Sequence, residues 1–183
     1  MTLTTERLTL RPFRKDDVEA LYAYSKDEEV GRNAGWKPHE SLLESSDILH
    51  LVFLNQSSVW AIERQTDRRL MGSIGLITDS ARQYGSARSL GYALGIDYWG
   101  QGDMTEAVRA AVRFVFGQMG LDLISATCYP DNPASRRVLE KCGFQYEGVL
   151  HRAELLYNGQ VKDHLCFYLQ HEKAANLDWY VGK

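Results

Sequence analysis

The stretch Tyr98-Trp99-Gly100-Gln101-Gly102-Asp103-Met104-Thr105-Glu106-Ala107 decides how the rest of the chain is read. An extended apolar run, residues 90–96, leads into it, and a helical pattern, residues 107–118, leads out. Two glycines two residues apart free the backbone where a strand must turn into a helix. A helix that opens in a glycine-rich loop presents unpaired N–H groups and the positive end of its dipole, which together suit a phosphate. Taken alone, Gly-x-Gly fits an ordinary strand-to-helix turn equally well.

Outward from the stretch, Met104, Val108, Ala111, Val112, Val115 and Met119 recur at helical spacing and predict a buried stripe. Glu106, Arg109 and Arg113 fall on another, solvated face, and Gly117 and Gly120 mark the end. Residues 123–129 read as the next strand, so strand, helix and strand form a βαβ unit with parallel strands and a right-handed crossover. On the incoming strand Leu90, Tyr92, Leu94 and Ile96 share one face, and Gly91, Ala93 and Gly95 the other. A face of small residues either leaves room for a ligand against the backbone or packs tightly on a helix.

Before this unit, residues 8–11 alternate as a strand, and Asp16 with Glu19 predicts a capped helix. Residues 27–38 read as irregular, with Trp36 either covering a cleft or folding back onto the core. Ser41 and Glu44 cap a helix to about residue 55, followed by a hairpin of residues 59–62 and 70–77. Residues 79–89 read as a polar loop. After the unit, Asn132 fits an N-cap and Pro133 the first helical position. Ser135, Val138, Leu139 and Cys142 share a face, and Gly143 ends that helix. Two last strands, 145–157 and 160–170, join at Asn158-Gly159, and the tail 171–183 carries Leu177, Trp179 and Tyr180. The fold class is α+β: a mixed, largely antiparallel sheet of about seven strands flanked by helices, with one central parallel βαβ step.

The 183 residues suit a single domain, 1–183, and 44% apolar with 25% charged residues is the balance of a soluble globular chain. A net charge of −3 gives no reason to expect nucleic acid. No run reaches the roughly 18 apolar residues of a membrane span, and residues 1–10 do not resemble a signal peptide. Three cysteines, Cys128, Cys142 and Cys166, argue against a disulfide framework or a zinc site and for a reducing cytoplasm.

Two motifs stand together here: residues 99–107, and Asn132-Pro133-Ala134-Ser135-Arg136-Arg137-Val138-Leu139-Glu140-Lys141-Cys142-Gly143-Phe144. They resemble the GCN5-related N-acetyltransferases (GNAT fold). Thr5-Glu6-Arg7-Leu8-Thr9-Leu10-Arg11-Pro12-Phe13 and Gly35-Trp36-Lys37-Pro38 are similar to the branch that acetylates ribosomal-protein N-termini, the RimJ/RimL type. The resemblance implies that acetyl-CoA is the cosubstrate and lies between the strands 90–96 and 123–129. The pantetheine arm would pair with the backbone of Leu94, Gly95 and Ile96. The pyrophosphate would rest on the N–H groups of Gln101, Gly102, Asp103, Met104 and Thr105. Asn132 and Ser135 match positions that the family sets against the pantetheine and the departing sulfur.

The implied chemistry is direct attack of a primary amine on the thioester, with no covalent enzyme intermediate and no metal. The Leu94 N–H would stabilise the oxyanion, which leaves Cys128 and Cys142 as buried structural residues. Where many members carry a tyrosine acid, this chain has Leu139. Ser135 is then the candidate acid for the thiolate, or only a first-turn helix residue bonded to Asn132. Ser89 stands where the branch often has a glutamate, so the base is open among His151, Glu154 and Asp163. Asp103 and Met104 also depart from the motif. The acceptor is a protein N-terminus by branch resemblance or, equally, a small amine, amino acid or antibiotic, with Trp36 walling its side if it faces the cleft. A monomer or homodimer is expected. The rival reading is a CoA-binding sensor or interaction module with little catalysis.

Overall fold

The computed structural model describes residues 1–82 and 84–180; Gln83 of the expected 79–89 loop and residues 181–183 of the tail lie outside the described residues. The strands are β1 (Leu3–Thr4), β2 (Leu8–Arg11), β3 (Val59–Arg64), β4 (Leu70–Thr78), β5 (Ala87–Leu94), β6 (Leu123–Cys128), β7 (Gln145–Leu155) and β8 (Val161–Gln170). They form one eight-stranded sheet in the order β1-β2-β3-β4-β5-β6-β8-β7. β5 and β6 are parallel, with Ala87 opposite Leu123 and Leu90 opposite Ala126, as the βαβ reading requires. The pairs β1–β2, β2–β3, β3–β4, β6–β8 and β8–β7 are antiparallel. The eighth strand is the two-residue β1, too short to leave an alternating pattern.

The helices are α1 (Val18–Ser25), α2 (Glu28–Ala34), α3 (Leu42–Ile48), α4 (Asp103–Gln118), α5 (Pro133–Lys141) and α6 (His171–Ala174). Three expectations change. Residues 27–38 hold a helix: Asp27 caps α2 by accepting from Glu29 and Val30 N–H, and left-handed Gly35 ends it. The sequence hides this because Gly31 interrupts the helical pattern. The helix from Ser41 stops being α-helical at Ile48 and continues as a π-helical turn, Leu49–Phe53. The expected cap by Asp16 is absent: Asp17 stands at the start of α1 without a side-chain capping bond, and its carboxylate instead closes the preceding 3₁₀ turn by accepting from the Arg14 N–H at 2.7 Å.

The chain divides into two compact units, Met1–Gly75 with Tyr92–Ala107, and Leu76–Gly91 with Val108–Lys183. The core of the first gathers Phe13, Leu21, Tyr24, Val30, Leu49, Ala61, Leu70 and Ala93. Beside it lies a buried ionic cluster. Arg11 makes a two-pronged pair with Asp17 (2.8 and 2.7 Å) and donates Nε to Glu63, whose other oxygen meets Arg68 at 2.7 Å. Burying these charges is tolerable because each is paired, and Arg11 and Asp17 are bonded at more than one atom.

The second unit is closed by its tail. Trp179 lies under the guanidinium groups of Arg109 and Arg113, 5.3 and 5.7 Å from its ring centre. Tyr180 is buried, and His171 stacks on Phe116 at 5.1 Å. Arg109 and Arg113, expected on a solvated face, therefore hold the tail, and Arg109 also donates to the Lys141 carbonyl. The expected stripe of α4 is buried at Met104, Val108, Ala111, Val112 and Val115, whereas Met119, just past the helix end, is only half-buried.

Candidate functional site

In the first unit β5 ends at Leu94, two residues earlier than the hydropathy run suggests, because the chain turns at once. The Gly95 N–H donates to the Met71 carbonyl at 2.8 Å, and residues 96–98 form a 3₁₀ turn closed by Tyr98 N–H to Gly95 O and Trp99 N–H to Ile96 O. The Trp99 indole N–H donates to the Leu94 carbonyl at 2.7 Å. The small face of the strand therefore divides. A side chain at Gly95 would press on Tyr24 Cβ at 3.2 Å, so that position is small for packing. In the second unit, a side chain at Gly91 would meet nothing within 4 Å.

Gly100 and Gly102 take φ of +75° and +86°, the left-handed region that a side chain disfavours by about 1–2 kcal/mol. The space a Cβ would fill at Gly100 is empty to 4 Å, and at Gly102 only Arg7 comes within 3.6 Å. The loop thus presents bare backbone in front of the first turn of α4, whose N–H groups have no partner within the helix. Gln101, Gly102, Asp103, Met104 and Thr105, the residues singled out by the glycine motif, lie along this loop and first turn.

Asp103, the departure from the motif, is buried, and its carboxylate pairs with Arg7 Nη1 at 2.9 Å. Glu106, one turn on, is no solvated residue. It accepts from Thr5 Oγ1 at 2.6 Å, from the Arg7 N–H at 2.9 Å and from Arg7 Nε at 2.7 Å. Burial pushes the Glu106 carboxyl up, but the hydrogen bonds from Thr5 and Arg7 outweigh it and hold the group below its ordinary value. Arg7 Nη1 also donates to the Gln101 carbonyl. The N-terminal arm therefore fixes both the loop and the helix start, a role the sequence spacing does not reveal.

In the second unit, Asn132 caps α5. Its Oδ1 accepts the Ser135 N–H at 3.0 Å, and Pro133 occupies the first turn. This is the expected local geometry; Ser135 itself is half-buried. Leu139, which stands at the position where the resemblance would place a tyrosine, is completely buried. Burial pushes the Cys128 thiol up to about 11 and the Cys142 thiol up to about 12, which disfavours a nucleophilic thiolate at either. Among the described residues no cluster of three His, Cys, Asp or Glu side chains is arranged to hold a metal.

The three possible bases separate clearly. His151 is highly exposed and bonds Asp163, which also accepts the Arg152 N–H. Glu154 is different: its Oε2 accepts from Tyr129 Oη at 2.8 Å and from His164 Nε2 at 3.0 Å. Among the described residues its Oε1 has no such donor. Tyr129 and His164 come from segments distant from Glu154 in the chain, which no spacing in the sequence marks. A two-residue Asn158-Gly159 turn would place Tyr157 opposite Gln160, and hence Asp163 opposite Glu154. The hairpin instead closes with Leu156 N–H to Gln160 O and pairs Leu155 with Val161, which sets Lys162 across from Glu154. A one-residue slip of this kind exchanges the two faces of a strand.

Trp36, the expected acceptor wall, is half-buried against the first unit's core, with its ring 6.5 Å from that of Tyr24. No described helix is long and apolar enough to cross a membrane.

Comparison with known proteins matches residues 7–145 to the acetyltransferase (GNAT) domain family. An uncharacterized N-acetyltransferase, YoaA of Bacillus subtilis (strain 168), is 33% identical over 165 residues, covering 88% of this chain and 92% of that protein. The [ribosomal protein uS5]-alanine N-acetyltransferase of Escherichia coli (strain K12) is 26% identical over 99% of this chain and 94% of its own length. Among solved structures, a GNAT-family acetyltransferase from Bacillus anthracis superposes with a TM-score of 0.83 at 24% identity, covering 94% of this chain and 99% of that one. A spermidine N-acetyltransferase from Vibrio cholerae, in complex with CoA and spermine, gives 0.79 at 20% identity, covering 94% and 100%. With its α+β sheet, its glycine loop opening α4 and its family match across most of its length, the chain belongs to the GNAT family and is an N-acetyltransferase of that type.

Proposed function

We propose that this chain works as a single catalytic domain, 1–183, moving acetyl from acetyl-CoA to a primary amine by direct attack, with Glu154 as the base. The observation that carries the reading is the loop before α4: two left-handed glycines, no Cβ in front of them, and a neighbouring carboxylate turned onto Arg7. Such a loop suits the pyrophosphate through the N–H groups of residues 101–105. Asn132 and Ser135 take the pantetheine end by their match to the second motif. The pantetheine pairs with the backbone of Leu94, Gly95 and Ile96, at Gly95 through the carbonyl because its N–H is given to Met71.

Glu154 takes a proton from the acceptor ammonium at Oε1. The freed amine forms the C–N bond while the C–S bond breaks, the Leu94 N–H stabilises the oxyanion, and Ser135 gives its hydroxyl proton to the departing sulfur and takes in its place the second proton that the attacking nitrogen must lose. The acceptor class we favour is a protein N-terminus. Its support is the similarity, spread over nearly the whole chain, to an enzyme named for an alanine terminus of uS5. The likeness to the spermidine enzyme is one of fold.

Thiol release from acetyl-CoA, measured with a panel of N-terminal peptides and small amines, tests the reading. Peptides with N-terminal alanine or serine are expected to turn over best. Tight CoA binding with no turnover on any acceptor would favour the sensor module instead; absence of CoA binding would sink both.

A further inference from the structure

The Glu154 carboxylate is gripped from one side only. Tyr129, immediately after β6, and His164, on β8, both direct a donor at Oε2. Their rings lie 5.6 Å apart, tilted by 46°, so each limits the other's rotation. Tyr129 is buried, and burial together with its bond to Glu154 raises its phenol, which keeps it a donor. A third group fixes the fixers. Lys162, across from Glu154 on β8, holds its ammonium 5.7 Å from the Tyr129 ring centre and pairs with Asp131 at 2.5 Å. With an ionised carboxylate as acceptor, His164 must carry its proton on Nε2. Two donors on one oxygen define the plane of the carboxylate and leave the other oxygen pointing away from both. Such an arrangement is what a base needs in order to meet its substrate without searching rotamers.

We propose that Tyr129 and His164 are positioning residues that hold Glu154 by Oε2 so that Oε1 receives the acceptor's ammonium. This rests on the reading of Glu154 as the base. Lys162 and Asp131 stabilise Tyr129 and do not touch the carboxylate. The cost of losing either donor falls on the acceptor step and leaves acetyl-CoA binding alone, since the three residues surround only the carboxylate.

Steady-state kinetics with acetyl-CoA and a peptide bearing N-terminal alanine test it on five proteins: wild type, E154Q, Y129F, H164A and H164Q. E154Q should lose at least about a hundredfold in kcat, the usual scale of a general base. Y129F and H164A should each lose roughly tenfold in kcat or in acceptor KM, with acetyl-CoA KM within twofold of wild type. H164Q keeps an N–H donor at a similar reach and should recover most of what H164A loses; a merely structural histidine would show no such rescue. Full activity in E154Q would overturn the base itself. A strong effect of E154Q beside unaffected Y129F and H164A would leave the base standing and overturn the positioning role. A fall in acetyl-CoA affinity equal to the fall in turnover would also overturn it.

Discussion

The two helices that open the functional motifs begin in opposite ways. α5 is capped from within four residues: Asn132 takes the Ser135 N–H, and Pro133 presets the first turn. Its first turn carries no acid. α4 starts with two acids, Asp103 and Glu106, and what orders them is Arg7, remote in the chain. Two carboxylates favour the positive end of a helix but oppose an incoming pyrophosphate. Arg7 answers both by neutralising part of the charge and tying the loop at the Gln101 carbonyl. The helix start that follows the bare glycine loop is thus built with long-range support, whereas the start of α5 is built locally.

The sharpest way to break this contrast is Arg7→Ala. It removes the partner of two carboxylates, one buried and one largely so. Arg7 itself is nearly half exposed, so solvent softens the loss. We expect about 1–3 kcal/mol of destabilisation by urea denaturation, with severalfold weaker acetyl-CoA binding by calorimetry. Arg7→Lys keeps the charge without the fork that spans Asp103 and Glu106, and should recover only part of each. Unchanged stability and affinity in Arg7→Ala would mean the helix start stands on its own, as α5 does.

Asn132→Ala should cost about 1 kcal/mol, the usual value of an N-cap, measured the same way. Asn132→Ser restores a capping oxygen and should recover most of it. If Asn132→Ser is stable yet turns over slowly, the amide has a duty to the ligand beyond its cap. If Asn132→Ala costs nothing, the local cap is not what holds α5.

The pH dependence of stability separates the two helices further. The Glu106 carboxyl is held below its ordinary value of 4.5 by Thr5 and Arg7, against the upward push of burial. The unfolded chain therefore takes up the proton first as pH falls. The stabilisation is present above pH 4.5 and is lost as pH drops through the lower folded value. Glu106→Gln should flatten this acid limb in thermal melts, by less than about 1 kcal/mol given partial exposure. The Asn132 amide takes up no proton, so Asn132→Ala should leave the acid profile unaltered in shape.

What was legible in the sequence follows the same division. The parallel β5–β6 pair, the stripe of α4 and the cap of α5 come from periodicities and neighbours within a few residues, and all are present. The missed features are contacts between distant segments. Arg11 on β2 looks like the polar end of an alternating strand, yet it is buried between Asp17 and Glu63. The two donors at Glu154 Oε2 likewise come from distant segments, Tyr129 after β6 and His164 on β8. α2 was lost to two glycines, one of which ends the helix in the left-handed region.

The finest test of the contrast is Asp103→Asn. A bare carboxylate beside a pyrophosphate would weaken binding, but this one is already spent on Arg7 at 2.9 Å. An amide oxygen at the same place still accepts from Arg7, while the charge it removes leaves the arginine with a surplus facing the loop. Acetyl-CoA affinity should therefore stay equal or tighten by up to about threefold, the scale of a modest charge change near a solvated site. Calorimetry at low salt shows this best, because screening erases it. A clear loss of affinity with an unchanged unfolding midpoint would mean that Asp103 meets the ligand. A loss of both would mean that its ionic bond to Arg7, and not merely the hydrogen bond, keeps Gly100 and Gly102 in their left-handed turn.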